Sequence, residues 1–186
     1  MLFNSYSHLK DKHAFLSPSK YHWINYDPEK LERMFIASMA ARRGTELHAL
    51  ANDLIRLGVK LPSTRKTLNM YVNDALGYRM HSEVTLFYSE NCFGHADSIV
   101  FRRNKLRIHD LKTGLSPTSE HQLEVYAALF CLEYDMKPVD IEIELRIYQN
   151  DDIQIFEGDP HIITHIMDRI VTFDKLIKKI RMEELS

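Results

Sequence analysis

Cysteine is scarce in this chain, with two residues, Cys92 and Cys131, among 186. Two thiols cannot furnish a four-cysteine iron–sulfur or zinc site, and they imply no disulfide framework. Long apolar runs are also missing, so no segment reaches the roughly 20 residues of a membrane span. The opening Met1-Leu2-Phe3-Asn4-Ser5-Tyr6 lacks the basic-then-apolar pattern of a signal peptide. A cytoplasmic location is therefore expected. No phosphate-binding Gly-x-x-x-x-Gly-Lys is present, which excludes a P-loop motor. With six glycines and six prolines, the chain shows no flexible linker, repeat or low-complexity tract. One domain over 1–186 is expected, with an irregular arm over 1–16. Strong positive charge is lacking too. The formal net charge is -2, so tight binding to long duplex without a metal is disfavoured. Local basic patches, which decide contact with phosphates, are not excluded.

The chain is 45% hydrophobic and 27% charged, the composition of a globular protein. Ser17-Pro18 predicts a helix start with Ser17 as N-cap, and Asp27-Pro28 predicts a second. That helix should run to about Ile55, with a break near Arg43-Gly44-Thr45. Another is expected from Thr64 to Gly77, with Leu68, Val72, Ala75 and Leu76 on one side. Three strands follow at 83–88, 94–101 and 105–111. A helix over 119–134 carries a Leu123, Ala127, Phe130, Tyr134 stripe. Strands at 141–148 and 153–156 precede a closing helix over 161–184, with Ile162, Ile166, Ile170 and Phe173 at helical spacing. This order implies an α/β fold, a mixed central sheet of about five strands flanked by helices.

The second and third strands carry the candidate chemistry. With Arg103-Asn104 as a two-residue hairpin loop, Arg102 pairs with Lys105, Phe101 with Leu106, Ile99 with Ile108 and Asp97 with Asp110. His95 then falls opposite Lys112. Alternation puts the four pairs from Phe101–Leu106 to His95–Lys112 on one face, and the apolar members make it the buried one. Ser98, Arg102, Lys105, Arg107 and His109 go to the other face, which suits solvent or DNA. Two carboxylates opposed at the end of an apolar face repel each other, and burial adds several kcal/mol. A divalent cation between them reverses the sign of that interaction. Lys112, two residues past Asp110, points the same way, and two carboxylates with an ammonium can gather a metal, a water and a phosphate. The bland alternative is a pair of strand-end charges with Lys112 as ion-pair partner.

Gly94-His95-Ala96-Asp97, Asp110-Leu111-Lys112-Thr113-Gly114 and Gln122-Leu123-Glu124-Val125-Tyr126 together resemble the PD-(D/E)xK nuclease superfamily, nearest its RecB-type branch. Gly44-Thr45-Glu46-Leu47-His48 is similar to that branch's Gly-x-x-x-His helix, and Ser17-Pro18-Ser19 to its Ser-x-Ser entry. Glu83 matches a recurrent glutamate on the first strand. The resemblance covers about residues 16–150 and implies a restriction-endonuclease-like core. It implies Asp97, Asp110 and Lys112 as catalytic residues, and His48, Asp97, Asp110 and the Leu111 carbonyl as ligands of one or two Mg2+ or Mn2+ ions. Gln122 and Tyr126 would bind substrate, with Glu83 as a supporting residue; the hairpin register adds His95 as a second supporting candidate, or else an ordinary polar residue of the hairpin. Many members carry four cysteines for an iron–sulfur cluster. Asn25-Tyr26-Asp27-Pro28 occupies the place of the first, so no cluster is expected.

The implied activity is hydrolysis of DNA phosphodiesters, as an exonuclease on single-stranded or duplex ends in phage or mobile-element replication and recombination. An endonuclease, or a non-catalytic DNA- or partner-binding module on the same fold, are the alternatives. No membrane partner is expected, and a phage-encoded enzyme would work in the cytoplasm of its bacterial host. Tyr21, Trp23 and Tyr26 are candidates for stacking on single-stranded bases, with core packing the expected role of at least two of them. Lys60, Arg65 and Lys66 fit a DNA path or a solvated helix end.

Overall fold

A computed structural model describes residue 7 and residues 14–114 and 116–184. Of the arm expected over 1–16, residues 1–6 and 8–13 lie outside the described residues. The chain divides into two compact units, up to Thr45 and from Glu46 onward.

In the first unit the expected start at Ser17 is a 3-10 helix, Pro18–Asn25. Ser17 holds the N-cap position without capping. Its hydroxyl pairs with that of Ser19, and its carbonyl accepts from Trp23 Nε1 at 3.0 Å. Asp27 does cap: Oδ1 accepts the Lys30 N–H at 2.7 Å, the third-residue bond that starts a helix. Helix α1 (Pro28–Leu57) begins in this unit and ends in the second, without the break expected at Gly44. Tyr26 lies under Lys30 Nζ at 4.5 Å from the ring centre, and Tyr21 is exposed.

The second unit is α/β. Helix α2 (Thr67–Tyr78) precedes β1 (His81–Ser89), β2 (Cys92–Arg102) and β3 (Lys105–Leu111). Helix α3 (His121–Glu133) leads to β4 (Glu142–Gln149), β5 (Asp152–Glu157) and helix α4 (Pro160–Glu184). The strands form one mixed sheet in the order β1-β2-β3-β4-β5. Neighbours are antiparallel except β3 and β4, which are parallel. A parallel pair requires a crossover, and α3 supplies it. The β2–β3 and β4–β5 hairpins are built on paired positive φ, Arg103 and Asn104 (50° and 61°) and Asn150 and Asp151 (53° and 58°). This is the type I′ geometry that matches the twist of the strands.

Both faces of the sheet are covered. On one, Ile99, Leu106, Ile108, Leu145 and Ile147 pack with Leu123, Ala127 and Phe130 of α3 and with Ile163 of α4. On the other, Val100, Leu111 and Tyr148 pack with Tyr71, Val72 and Ala75 of α2 and with Ala51 and Ile55. That second layer corrects the expectation of a solvent- or DNA-facing surface. Ser98 and His109 are fully buried beneath it, and only the hairpin end, with Arg102 and Arg103, remains exposed. In α4 the inner face is Ile163, Ile166, Ile170 and Asp174, whereas Ile162 and Phe173 point outward. The shift follows from a buried carboxylate: Asp174 accepts hydrogen bonds from Ser89 (2.7 Å) and Asn91 (2.8 Å) and pairs with Lys178 at 2.7 Å. Tyr134 likewise leaves the α3 stripe for solvent. Among the described residues no helix is long and apolar enough to cross a membrane.

Candidate active site

The type I′ turn sets the β2–β3 register as expected, from Arg102 opposite Lys105 to Ser98 opposite His109. Asp97 and Asp110 are the next rung. Here the ladder gives way to a side chain: the Leu111 N–H donates to Asp97 Oδ2 at 2.8 Å. Leu111 is fully buried at the last position of β3, and the Lys112 N–H continues onto the Tyr148 carbonyl of β4 at 2.9 Å.

Alternation fails at this rung. Gly94 and Phe101 both meet α3, Gly94 against Tyr126 and Phe101 against Phe130. They are seven residues apart, so a strict period of two would put them on opposite faces. The phase of β2 therefore slips once, between Ala96 in the α3-side core and Ser98 on the α2 side. In β1, Ser82 bonds Asn52 of α1 while Val84 packs on the α3-side core. That slip lies at Glu83, whose φ is +52°. The left-handed region costs a residue with a Cβ on the order of 1–2 kcal/mol, and such outliers concentrate at functional sites. By register Glu83 lies opposite Asp97, between the pairs Ser82–Ser98 and Val84–Ala96. The two slips thus coincide.

They turn both carboxylates toward His48. Ligand atoms of His48, Glu83 and Asp97 all lie within 4.8 Å of one another. His48 belongs to the inner stripe of α1 with Ala51 and Ile55, while Leu50 is exposed. Its Nδ1 is 3.4 Å from Asp97 Oδ2. The hydrogen bond to Asp97 raises the imidazole pKa against the opposing effect of burial, and the charges of Asp110 and Glu83 add to the rise.

Asp110 adjoins this triad. It is 3% exposed. Burial pushes its pKa up, and the nearby Asp97 carboxylate adds to that, against the lowering effect of Lys112. Lys112 Nζ lies 3.0 Å from Oδ2 and donates to Oδ1 at 3.2 Å. Oδ2 is buried and accepts no aligned hydrogen bond. A second hydrogen bond from Lys112 Nζ reaches Gln122 Oε1 at 2.8 Å, and Gln122 Nε2 donates to the Tyr126 hydroxyl at 3.2 Å. Tyr126 crosses Gly94 so closely that a Cβ there would sit 2.8 Å from its Cε1. The glycine of Gly94-x-x-Asp97 is thus required by the tyrosine of Gln122-x-x-x-Tyr126.

The structure brings together His48, Glu83, Asp97, Asp110, Lys112, Gln122 and Tyr126, with Leu111 between the two clusters. His95 is not brought in. Lying before the slip, it points outward, exposed, with Nδ1 2.9 Å from Thr85 Oγ1. Lys66 is tied to Asp151 at 3.0 Å. Sequence reasoning missed Gln149, whose buried amide donates to the carbonyls of Gly114 and Ser116 and so holds the turn after Lys112. It also missed Glu120, His121 and Glu124, whose ligand atoms cluster at the start of α3. The Glu-His-x-x-Glu spacing was the available signal. No protein-family model matches this chain, and a search of curated proteins finds no match.

Proposed function

We propose that the chain is a metal-dependent deoxyribonuclease of the PD-(D/E)xK type, nearest the RecB-type branch, acting on DNA ends. The observation that carries this reading is the joining of two clusters at one rung of the sheet. One is a His48–Glu83–Asp97 triad; the other is a buried Asp110 leading through Lys112 to Gln122 and Tyr126.

The residues fit a divalent ion. Three acidic side chains and one imidazole make an oxygen-rich donor set suited to Mg2+ or Mn2+. Asp110 Oδ2 is a buried acceptor without an aligned donor, the kind of orphan that calls for an explanation. His48, Asp97 and Asp110 would hold the ion, with Glu83 completing the set and the Leu111 carbonyl beside it. When bound, a divalent ion supplies polarisation of the phosphate and acidification of water. Lys112, fixed between Asp110 and Gln122, presents its ammonium where negative charge builds on the phosphate, so its position is preorganised. Gln122 and Tyr126 keep Lys112 from collapsing fully onto Asp110 and offer polar groups to the substrate strand. Action on ends, and a role in phage or mobile-element replication or recombination, follow the RecB-type resemblance.

The test incubates labelled linear and circular DNA, single- and double-stranded, with Mg2+, Mn2+ or EDTA. Metal-dependent loss of linear DNA is expected, abolished in Lys112→Ala and Asp110→Ala. Cutting of closed circles would replace the exonuclease with an endonuclease. Intact binding without cleavage of any DNA or RNA would leave only a non-catalytic binding module.

A further inference from the structure

The hairpin end of β2–β3 borders a cleft of about 760 Å³ on the α2 side of the sheet, lined by Tyr78, Arg79, Arg102, Arg103, Lys105 and Arg107. Five cations meet there in a chain whose net charge is -2. The lining includes one carboxylate, Glu142. Behind it, Glu144 holds Lys105 at 2.9 Å and Arg107 at 3.2 Å, and Lys105 also approaches Glu142 at 3.7 Å. Arg107 is further fixed over the Tyr78 ring, 4.5 Å from its centre. These two cations form an ordered floor. Arg79, Arg102 and Arg103 make no ion pair among the described residues and are exposed at the rim.

Arg79 is the left-handed C-cap of α2, with φ 56°, and Arg103 opens the type I′ turn with φ 50°. Glycine or asparagine fits both positions with less strain. Both carry arginine, and both arginines reach the same cleft. Unneutralised like charges at this density repel one another, so the arrangement favours a bound polyanion.

We propose that this cleft is a secondary docking site for the phosphate backbone of a nucleic-acid strand, separate from the candidate active site. It lies at the far end of β3. Lys105 and Asp110 are five residues apart, roughly 17 Å along an extended strand. The ligand is phosphodiester backbone, held by charge and by arginine forks rather than by base edges. The choice of nucleic acid as the polyanion rests on the nuclease reading.

The experiment uses the full chain and a triple variant, Arg79→Gln/Arg102→Gln/Arg103→Gln. These exposed side chains contribute little to folding, and an unchanged thermal midpoint checks that. Binding of a labelled 20-nucleotide single strand is followed by anisotropy in EDTA across a salt series, so no cleavage is needed. The variant is expected to bind at least about tenfold more weakly. Its slope of log K against log salt should be shallower by about 2, three contacts at roughly 0.7 each. Asp110→Asn should keep the wild-type slope. With Mg2+ or Mn2+, the triple variant should cleave a dinucleotide at the wild-type rate and lose rate only on the long strand. Unchanged binding and slope in the triple variant would overturn the proposal. So would a loss confined to ATP or pyrophosphate, which would assign the cleft to small phosphates. Failure of every cleavage assay with the binding result intact would remove the nuclease reading and leave the docking site standing.

Discussion

His109 should make the fold acid-sensitive in a calculable way. It is fully buried between Tyr78 and Tyr148. The Tyr148 hydroxyl donates to Asp74 at 2.7 Å, so its proton is committed. His109 Nδ1, 3.2 Å from that oxygen, must then be the donor, which leaves Nε2 as a buried acceptor without a partner. Burial, reinforced by the positive charge of Arg146, drives the imidazole pKa down from 6.5 to about 3. A folded-state pKa below the unfolded one gives stability that is complete above pH 6.5. That stability is lost as pH falls toward 3, because the unfolded chain binds a proton that the native chain refuses. The slope is a little over 1 kcal/mol per pH unit, so at pH 4.5 the loss is about 3 kcal/mol. His109→Phe keeps a ring against both tyrosines and removes the titration. Urea unfolding of both proteins at pH 7.5 and 4.5, in EDTA, isolates the effect. The stability difference, wild type minus variant, should fall by about 3 kcal/mol between the two pH values. A difference that does not move with pH would refute the argument that His109 is held neutral.

Three other outcomes follow from the geometry. Glu83→Gly should relieve the left-handed backbone, raising stability by about 1 kcal/mol, or roughly 2–4 °C in Tm. The same change should weaken Mn2+ binding measured by calorimetry; a drop in Tm would show that φ +52° is unstrained. Gly94→Ala forces Tyr126 away from Gln122, with an overpacking cost of about 1–3 kcal/mol. It should slow DNA cleavage about tenfold while leaving metal affinity unchanged, and equal losses in both would contradict the Lys112–Gln122–Tyr126 linkage. The Asp174 carboxyl is held down at about 2, first by Lys178 and then by Ser89 and Asn91. Asp174→Asn should therefore be less stable than wild type above pH 5, with the gap closing as pH falls through 2 in acid-unfolding curves.

Much of this was readable from residue order, for identifiable reasons. Arg103-Asn104 is short enough to fix one register, so the opposition of Asp97 and Asp110 follows from counting back along the two strands. The spacing of Gln122 and Tyr126 likewise placed both on one side of α3. What escaped were departures from regular periods. Alternation assumes a uniform strand backbone, and the phase change of β2 between Ala96 and Ser98 breaks it, so His95 points outward and not toward Lys112. Apolar residues at both parities of β2, Gly94 and Ala96 against Ile99 and Phe101, were the overlooked trace of that break. In α4 the inner face carries Asp174, which hydrophobic periodicity cannot recognise as buried. The covered α2 side was misjudged because Ser98 and His109 are polar by type yet lie inside, Ser98 against the Met80 sulfur and His109 Nδ1 against the Tyr148 hydroxyl.

The coincident slips in β1 and β2 also act as an alignment key for the sheet. An ordinary antiparallel pair can slide by two residues and still present its apolar side chains to the same layer. These two strands cannot. Each changes phase once, at Glu83 and at Asp97, and only one alignment puts the changes opposite each other. Any sliding strands a short stretch of each strand with its apolar side chains facing the wrong layer. The feature that gathers the carboxylates around His48 therefore also removes the competing registers of β1, an edge strand. A chain that has paired β1 with β2 correctly has, by the same event, placed two of its three triad residues.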